Sequence, residues 1–116
     1  MISKGIRGAI IVDENSSAAI GAATIKLLNE ILSKNKIEVD MISHAIFTLT
    51  PDLNADFPAK YARINLKWKE VPMMCFHELD VPNSLQKCLR GLIVVNCGEG
   101  FVPEFVYLDG AEVLRK

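Results

Sequence analysis

The sequence predicts a two-layer sandwich of the α+β or α/β kind, in which helices pack on one mixed β-sheet. Short runs of apolar and β-branched residues alternate with two segments whose apolar residues recur at helical spacing. Half of the 116 residues are hydrophobic, so the chain can bury a core. This length favours one domain over residues 1–116, and no repeat or linker divides the sequence.

The first half of the chain contains two predicted strands with a helix between them. Residues 6–12 form an apolar run rich in β-branched side chains, which predicts the first strand. Residues 13–16 offer turn and capping side chains, and the helical spacing that begins at Ser17 predicts an amphipathic helix to about Asn35. Residues 42–50 are predicted as a second strand, whose continuous apolar middle indicates burial on both faces.

A second helix follows the second strand. Pro51 ends that strand and opens a loop, and Asp56 is expected to cap a helix that runs to about Leu66. Lys60 and Arg63 lie three residues apart in this helix and therefore share one face. By themselves, these two cations indicate an ordinary solvated helix face.

The remaining strands lie in the second half of the chain. Residues 71–79 and 88–96 are predicted as the third and fourth strands, with one helical turn at residues 85–87 between them. Residues 106–108 and 111–114 are expected to close the fold as a hairpin.

Charge, cysteine content and hydropathy argue against several classes of protein. The net charge of −1 includes no run of like charges, which argues against a nucleic-acid surface. No stretch approaches the ~18 apolar residues of a membrane span, and the amino terminus lacks the apolar region of a secretory signal. We therefore expect a cytoplasmic protein. The three cysteines have no Cys-x-x-Cys spacing, so neither a disulfide framework nor a zinc site is indicated.

Arg90 is the residue least suited to its sequence surroundings. Nearly all its neighbours in residues 88–95 are apolar, and a desolvated guanidinium costs several kcal/mol unless it is paired. Glu78 lies in an equally apolar stretch and is the obvious protein partner. Two interpretations stay open: a structural ion pair between adjacent strands, or a group that binds an anion.

Arg7 favours the second interpretation. It lies between Gly5 and Gly8 in an otherwise apolar strand, and glycine in a strand often marks the close approach of a ligand or backbone. Two strand arginines with one nearby glutamate leave a surplus of positive charge that suits a small dicarboxylate. The alternative is an edge strand from which Arg7 simply points to solvent.

Other polar side chains are less informative. Cys75 and His77 are two residues apart and share one strand face. A lone histidine is more often structural than a ligand or base, and a buried cysteine commonly behaves as a small hydrophobe. Tyr107 would either donate a hydrogen bond to an anion or pack.

Several short segments, spread along nearly the whole chain, occur together in one enzyme family. They are KGIRGA (4–9), TPDLNADFPAK (50–60) followed by Arg63 and Trp68, VP (71–72) with Cys75, ELDV (78–81), LQKCLR (85–90), VYL (106–108) and VLR (113–115). In this set the chain resembles the AroH-class chorismate mutases, and the TPDLNADFPAK block is specific.

The resemblance implies an α+β fold with a mixed sheet and two main helices, assembled as a homotrimer that forms a pseudo-α/β barrel. It implies active sites in the clefts between subunits. The substrate-binding residues implied from one subunit are Arg7, Met74, Cys75, Phe76, His77, Glu78, Arg90 and Tyr107. Those implied from the neighbour are Phe57, Lys60 and Arg63, and Arg115 is implied to border the pocket.

The activity that the resemblance implies is the Claisen rearrangement of chorismate to prephenate in aromatic amino-acid biosynthesis, with no cofactor and no metal. Arg90 would hydrogen-bond the ether oxygen and a carboxylate, and Arg7 would hold the side-chain carboxylate. Glu78 would accept a hydrogen bond from the ring hydroxyl and orient Arg90. Cys75 would act chiefly through its main chain, and Tyr107 would help to bind a carboxylate. The implied catalytic residues are Arg90, Glu78 and Arg7.

Two other functions stay open on the sequence. A non-catalytic trimeric module would bind small carboxylates as a sensor or regulator. Met73 and Met74 stand where the family leads one to expect smaller or polar residues and are expected to narrow the pocket, and Met74 is the residue that favours this module. A structural subunit would use Arg90 and Glu78 only as a core ion pair.

Overall fold

A computed structural model describes residues 1–115 of the protein. The elements in that part of the chain are β1 (Ile2–Ile11), α1 (Ser17–Asn35), β2 (Ile42–Leu49), α2 (Pro58–Asn65), β3 (Met73–His77), β4 (Cys88–Cys97) and β5 (Val106–Leu108), with two short 3₁₀ helices at Val39–Met41 and Ala111–Arg115.

The five strands form one mixed sheet in the order β3-β2-β4-β1-β5. The central strand β4 runs antiparallel to both of its neighbours, β1 and β2. The two edge strands run parallel to the strands that they join, β3 to β2 and β5 to β1. The predicted mixed sheet with two main helices is therefore confirmed.

The helices pack on one face of this sheet and create the core. Ile10 of β1, Phe47 of β2 and Ile93 of β4 point into it and are almost completely buried. Leu27 and Ile31 of α1 meet them at helical spacing, as the sequence predicts for an amphipathic helix. Burying this apolar face is the main stabilisation of the fold, at roughly 25 cal/mol per Å² of apolar surface removed from water.

Gly8 allows α1 to lie close to the sheet. A Cβ atom added at this position would stand 2.7 Å from Cδ1 of Ile31. The expectation that glycine in the first strand marks a close approach is therefore correct for Gly8, and the approaching group is the helix.

The opposite face of the sheet, which we call the open face, carries half-buried and exposed side chains. Strand pairing places Arg7 beside Leu92, and Arg90 beside both Ala9 and Thr48, on this face. The C-terminal 3₁₀ helix covers one end of it. The expectation that the second strand is buried on both faces is wrong for this chain, because the helices cover only one face and leave His44 of β2 exposed.

Two local predictions in the second half of the chain are wrong. Residues 85–87 form a bend with no helical turn, because Lys87 takes a left-handed conformation (φ 50°) and its N–H donates to the Asp52 carboxylate at 2.9 Å. The closing hairpin is absent from the described residues. Asp109 and Gly110 both have positive φ, 52° and 105°, and lead the chain out of the sheet into a 3₁₀ helix.

The predicted cap of the second helix also differs. The N-cap position belongs to Phe57, and Asp56 accepts the N–H of Phe57 at 2.8 Å instead of capping the helix. The same carboxylate reaches forward to Lys60 and Tyr61 in the first turn of α2. Asp56 therefore organises the start of the helix through side chains.

Gly21 of α1 is required by the contact between the two helices. A Cβ atom there would lie 2.5 Å from Cε1 of Tyr61, whose hydroxyl is tied to Asp56. Although alanine is favoured over glycine in helices by about 1 kcal/mol, we expect Gly21→Ala to lower the free energy of unfolding by about 1–3 kcal/mol through overpacking. Urea unfolding at fixed protein concentration measures this change in the free energy of unfolding. In a Tyr61→Ala background the same change should cost far less, and a stabilising Gly21→Ala would contradict the contact.

Candidate active site

A cleft of about 260 Å³ opens on the open face of the sheet. Its walls are Arg7, Gly8, Ile46, Thr48, Glu78, Arg90, Gly91, Leu92 and Tyr107. Four residues that the sequence singled out, from four separate parts of the chain, therefore meet in one place: Arg7, Glu78, Arg90 and Tyr107.

Strand register explains why they meet. Ala9 of β1 is paired with Arg90 of β4 on one side and with Tyr107 of β5 on the other, so its small side chain leaves a hollow between two large polar ones. Arg7 precedes Ala9 by two residues and shares its face. Glu78 comes directly after β3, where its N–H donates to the carbonyl of Leu49 at 2.8 Å.

The pairing of Arg90 with Glu78 is confirmed, but the strand arrangement that brings the two residues together is not the expected one. Nε of Arg90 lies 3.4 Å from Oε2 of Glu78. These residues do not come from adjacent strands, because β2 lies between β3 and β4. Thr48 of β2 occupies the gap and donates its hydroxyl to Oε2 of Glu78.

The cleft contains polar groups without partners. The distance between Arg90 and Glu78 is that of an ion pair, yet the geometry is not that of a hydrogen bond, and within residues 1–115 the buried Nε of Arg90 has no hydrogen-bond acceptor. The buried hydroxyl of Tyr107 likewise has no partner among these residues. Buried donors without acceptors are costly. Two arginines facing one glutamate also leave net positive charge, so the cleft suits an anion.

The edge-strand alternative for Arg7 is wrong, although its side chain is exposed to solvent as well as lining the cleft. Strand β1 lies between β4 and β5 and is not an edge strand, so the Arg7 side chain rises from the sheet into the cleft. Its guanidinium carbon lies 6.0 Å from the centre of the Phe105 ring. Phe105 was not among the residues predicted from sequence. Its spacing of two from Tyr107 is the pattern that would have placed it on the same face.

Arg115 stands at the border of the cleft. Its guanidinium carbon lies 5.4 Å from the centre of the Phe105 ring and 5.9 Å from that of Tyr107. The Phe105 ring therefore has two arginines near it, Arg7 and Arg115. Such cation–π contacts orient guanidinium groups without consuming their hydrogen-bond donors, which stay free for an anion.

The other predicted site residues lie elsewhere in the same chain. Phe57, Cys75, Phe76 and His77 line a second cleft of about 320 Å³ between α2 and β3. Met74, Lys60 and Arg63 line neither cleft. One chain thus separates the predicted residues into three groups: those in the charged cleft, those in the second cleft and those that line neither.

Residues Cys75 to Glu78 illustrate how β3 makes this division. Cys75 and His77 do share one strand face, as predicted, and burial raises the pKa of the Cys75 thiol, which suits an inert side chain. Nε2 of His77 donates to the carbonyl of Leu53 at 3.0 Å. Glu78 lies two residues beyond Phe76, which is paired with Thr48, so the strand alternation continued past the end of β3 places Glu78 on the open face.

Asp56 holds Lys60 near the entrance of α2. Its Oδ2 accepts from the ammonium of Lys60 at 3.1 Å and from the hydroxyl of Tyr61 at 2.9 Å. The N–H of Phe57, the hydroxyl of Tyr61 and then Lys60 lower the Asp56 pKa from 3.8 to about 2. Lys60 is therefore ordered by its own chain before any ligand arrives.

This lowered pKa predicts an acid-sensitive contribution to stability. A carboxylate whose pKa is lower in the folded state stabilises the fold above its unfolded pKa, and the contribution disappears as the pH falls through the folded value. We expect wild type to lose its stability advantage over Asp56→Asn between about pH 4 and pH 2. Urea midpoints measured against pH test this. Tyr61→Phe removes a hydrogen bond that lowers the Asp56 pKa, so the lower limit of this pH interval should rise above about pH 2. A wild-type advantage that persists at pH 2 would contradict the assignment.

The fold and the cleft together define a class: an α+β protein whose sheet presents arginines, one carboxylate and one phenol to a small anion. Among residues 1–115 there is no group of three or more metal-ligating side chains, and no helix there is long and apolar enough to cross a membrane. A model of the family described as chorismate mutase type I matches residues 3–116. The chain belongs to that family, whose reaction is an isomerisation.

Individual relatives agree with this assignment. The chain is 36% identical to chorismate mutase AroH of Bacillus subtilis over 119 residues, covering 99% of this chain and 91% of the relative. It is 40% identical to chorismate mutase AroH of Thermus thermophilus over 94 residues, covering 80% and 76%. The structure of a chorismate mutase from Clostridium thermocellum is 46% identical and superimposes with a TM-score of 0.90, covering 95% of this chain and 98% of that one.

Proposed function

We propose that this protein, as one domain of residues 1–116, converts chorismate into prephenate in the cytoplasm for aromatic amino-acid biosynthesis. Membership of the chorismate mutase type I family supports the activity. The observation that carries the site is the cleft in which Arg90 and Tyr107 present buried, unpartnered donors beside Arg7. Chorismate is a dicarboxylate, and a cleft with surplus positive charge suits it.

The proposed reaction needs little chemistry from the protein. In a Claisen rearrangement the ether C–O bond breaks while a C–C bond forms, so no nucleophile, base, metal or cofactor takes part. The protein contributes by holding the substrate in its chair-like conformer. It also stabilises the negative charge that develops on the ether oxygen as the C–O bond breaks.

The geometry supports a distinct role for each residue of the cleft. The unpartnered Nε–H of Arg90 is available to the ether oxygen, while its terminal N–H groups take a carboxylate. Arg7 and Tyr107 are the groups that would hold the carboxylates. Glu78 keeps Oε1 available for the ring hydroxyl, because Oε2 already accepts from Thr48.

The protein is further proposed to work as a homotrimer with its sites between subunits. Phe57 is 68% exposed and Met74 is 60% exposed in the single chain, so both apolar side chains are available to a partner subunit. Phe57, Lys60 and Arg63 lie outside the charged cleft of their own chain. We infer that they complete the cleft of a neighbour, with the segment from Met74 to His77 at the border.

The decisive experiment follows chorismate consumption by purified protein as the loss of its ultraviolet absorbance. Turnover in buffer treated with a chelator, with prephenate as the product, is the expected result. Binding of chorismate without turnover would overturn the proposal in favour of a carboxylate sensor. Absence of both binding and turnover would reduce Arg90 and Glu78 to a structural ion pair.

A further inference from the structure

Thr48 is the one polar side chain in the cleft that the proposed chemistry does not use. It is the second-to-last residue of β2 and the direct cross-strand neighbour of Arg90, so the two side chains rise from the same face of the sheet. Its hydroxyl donates to Oε2 of Glu78. This is the same oxygen that lies 3.4 Å from Nε of Arg90.

Two donors therefore face one carboxylate oxygen, which can accept from both, yet only the hydroxyl of Thr48 makes a hydrogen bond to it. Arg90 is half-buried, with 37% of its side chain exposed, and Glu78 is 24% exposed. A charged pair this close and this sheltered ordinarily closes to a hydrogen bond of about 2.8 Å. Here the hydroxyl of Thr48 satisfies Oε2, and Nε of Arg90 keeps its proton unshared.

The hydrogen bond between Thr48 and Glu78 affects the guanidinium of Arg90, the group on which the proposed reaction depends most. If Glu78 closed onto Nε of Arg90, the guanidinium would turn towards the carboxylate, and its charge would be compensated before the substrate arrived. A donor already engaged in a strong ion pair contributes less to a developing oxyanion, because that bond has to be weakened first. Separation of Arg90 from Glu78 therefore favours the reaction, and it depends on the hydroxyl of Thr48 in the intervening strand β2.

We propose that Thr48 is a positioning residue: its hydroxyl holds Glu78 away from Arg90 and so keeps the Nε–H of Arg90 free for the substrate. The kinetic part of this inference rests on the proposed function, whereas the geometric part does not. Thr48 acts through Glu78 and is not assigned any contact with the reacting atoms.

The matched variants are Thr48→Val, which keeps the shape and the β-branching but removes the hydroxyl, and Thr48→Ser, which keeps the hydroxyl. Valine is favoured in strands, so urea unfolding should show that Thr48→Val remains folded. We expect its kcat for chorismate to fall about ten- to a hundred-fold, as for the loss of one hydrogen bond to a charged group. We expect Thr48→Ser to stay within about three-fold of wild type, since its hydroxyl can make the same bond.

A double-mutant cycle separates positioning from a general structural effect. If Thr48 acts through Glu78, adding Thr48→Val to Glu78→Ala should change kcat by less than about two-fold, because the group that it positions is gone. Additive losses would overturn the proposal. So would a Thr48→Val enzyme with the kcat of wild type, or one that Thr48→Ser fails to rescue.

A measurement that does not need turnover tests the geometry. The Nε–H resonance of Arg90, assigned by its absence in Arg90→Lys, should move downfield in Thr48→Val as the ion pair closes, and should stay in place in Thr48→Ser. An unmoved resonance in Thr48→Val overturns the proposal whatever the activity. A moved resonance in a protein that does not convert chorismate would instead leave the positioning intact and reject the proposed function.

Discussion

Arg90→Lys is expected to slow the conversion of chorismate by about a hundred- to a thousand-fold, equivalent to about 3–4 kcal/mol in the barrier. Lysine preserves the charge, but a single ammonium lacks the planar fork that would contact the ether oxygen and a carboxylate together. Its nitrogen can also pair directly with Glu78, whose Oε2 lies 3.4 Å from the present Nε. The loss should therefore appear in kcat and not only in KM, because the contact strengthens as the C–O bond breaks.

The absorbance assay with saturating chorismate measures this prediction. Lys34→Ala is a suitable control, because it removes one positive charge from the last turn of α1, which does not contribute to the cleft. It should retain the wild-type kcat. If Arg90→Lys kept normal turnover, the proposed stabilisation of the transition state by Arg90 would be wrong.

The second prediction with a large effect tests whether each cleft is formed by two neighbouring subunits. An Arg90→Ala chain and a Lys60→Ala/Arg63→Ala chain should each form clefts with little activity. If every cleft combines Arg90 of one chain with Lys60 and Arg63 of its neighbour, random mixing of the two variants in equal amounts should restore about one quarter of wild-type activity. Half of the chains supply an intact Arg90, and half of their neighbours supply an intact helix.

The mixture is prepared by unfolding and refolding the two variants together, and activity is compared with that of the same proteins refolded separately. Refolding wild type alone gives the control for recovery. An activity no higher than the average of the two parents would show that the residues of α2 do not enter a neighbour's cleft. Sedimentation of the mixture shows whether the chains associate, so a monomer would be recognised directly.

Much of the fold could be predicted from sequence, because the elements depend on local patterns. The first helix spans Ser17–Asn35 as the apolar spacing indicates, and the second and fourth strands agree to within one residue at each end. The failures occurred where a distant contact decided the conformation. Asp52 holds Lys87 and prevents a helical turn, and the positive φ of Asp109 leads the last residues away from the sheet.

The candidate site was predicted in part for the same reason. Arg90 and Arg7 could be found because a cation among apolar neighbours conflicts with its surroundings, which is visible in sequence alone. Thr48 and Phe105 gave no such sign. A threonine in a strand and an aromatic residue beside one are ordinary, and their importance depends on which side chains lie across the sheet.

The sequence by itself therefore determined that this protein has a sheet with two helices, and that it carries two arginines and a glutamate among apolar neighbours, a set that favours an anion. Only the tertiary structure decided how these charges are arranged. Strand β2 lies between β3, which Glu78 follows, and β4, which contains Arg90. The hydroxyl of Thr48 in β2 therefore lies between the two charged groups. The physical reason is that hydrophobic spacing specifies which face of an element is buried, whereas strand order and register, set by packing of the whole chain, specify which side chains meet.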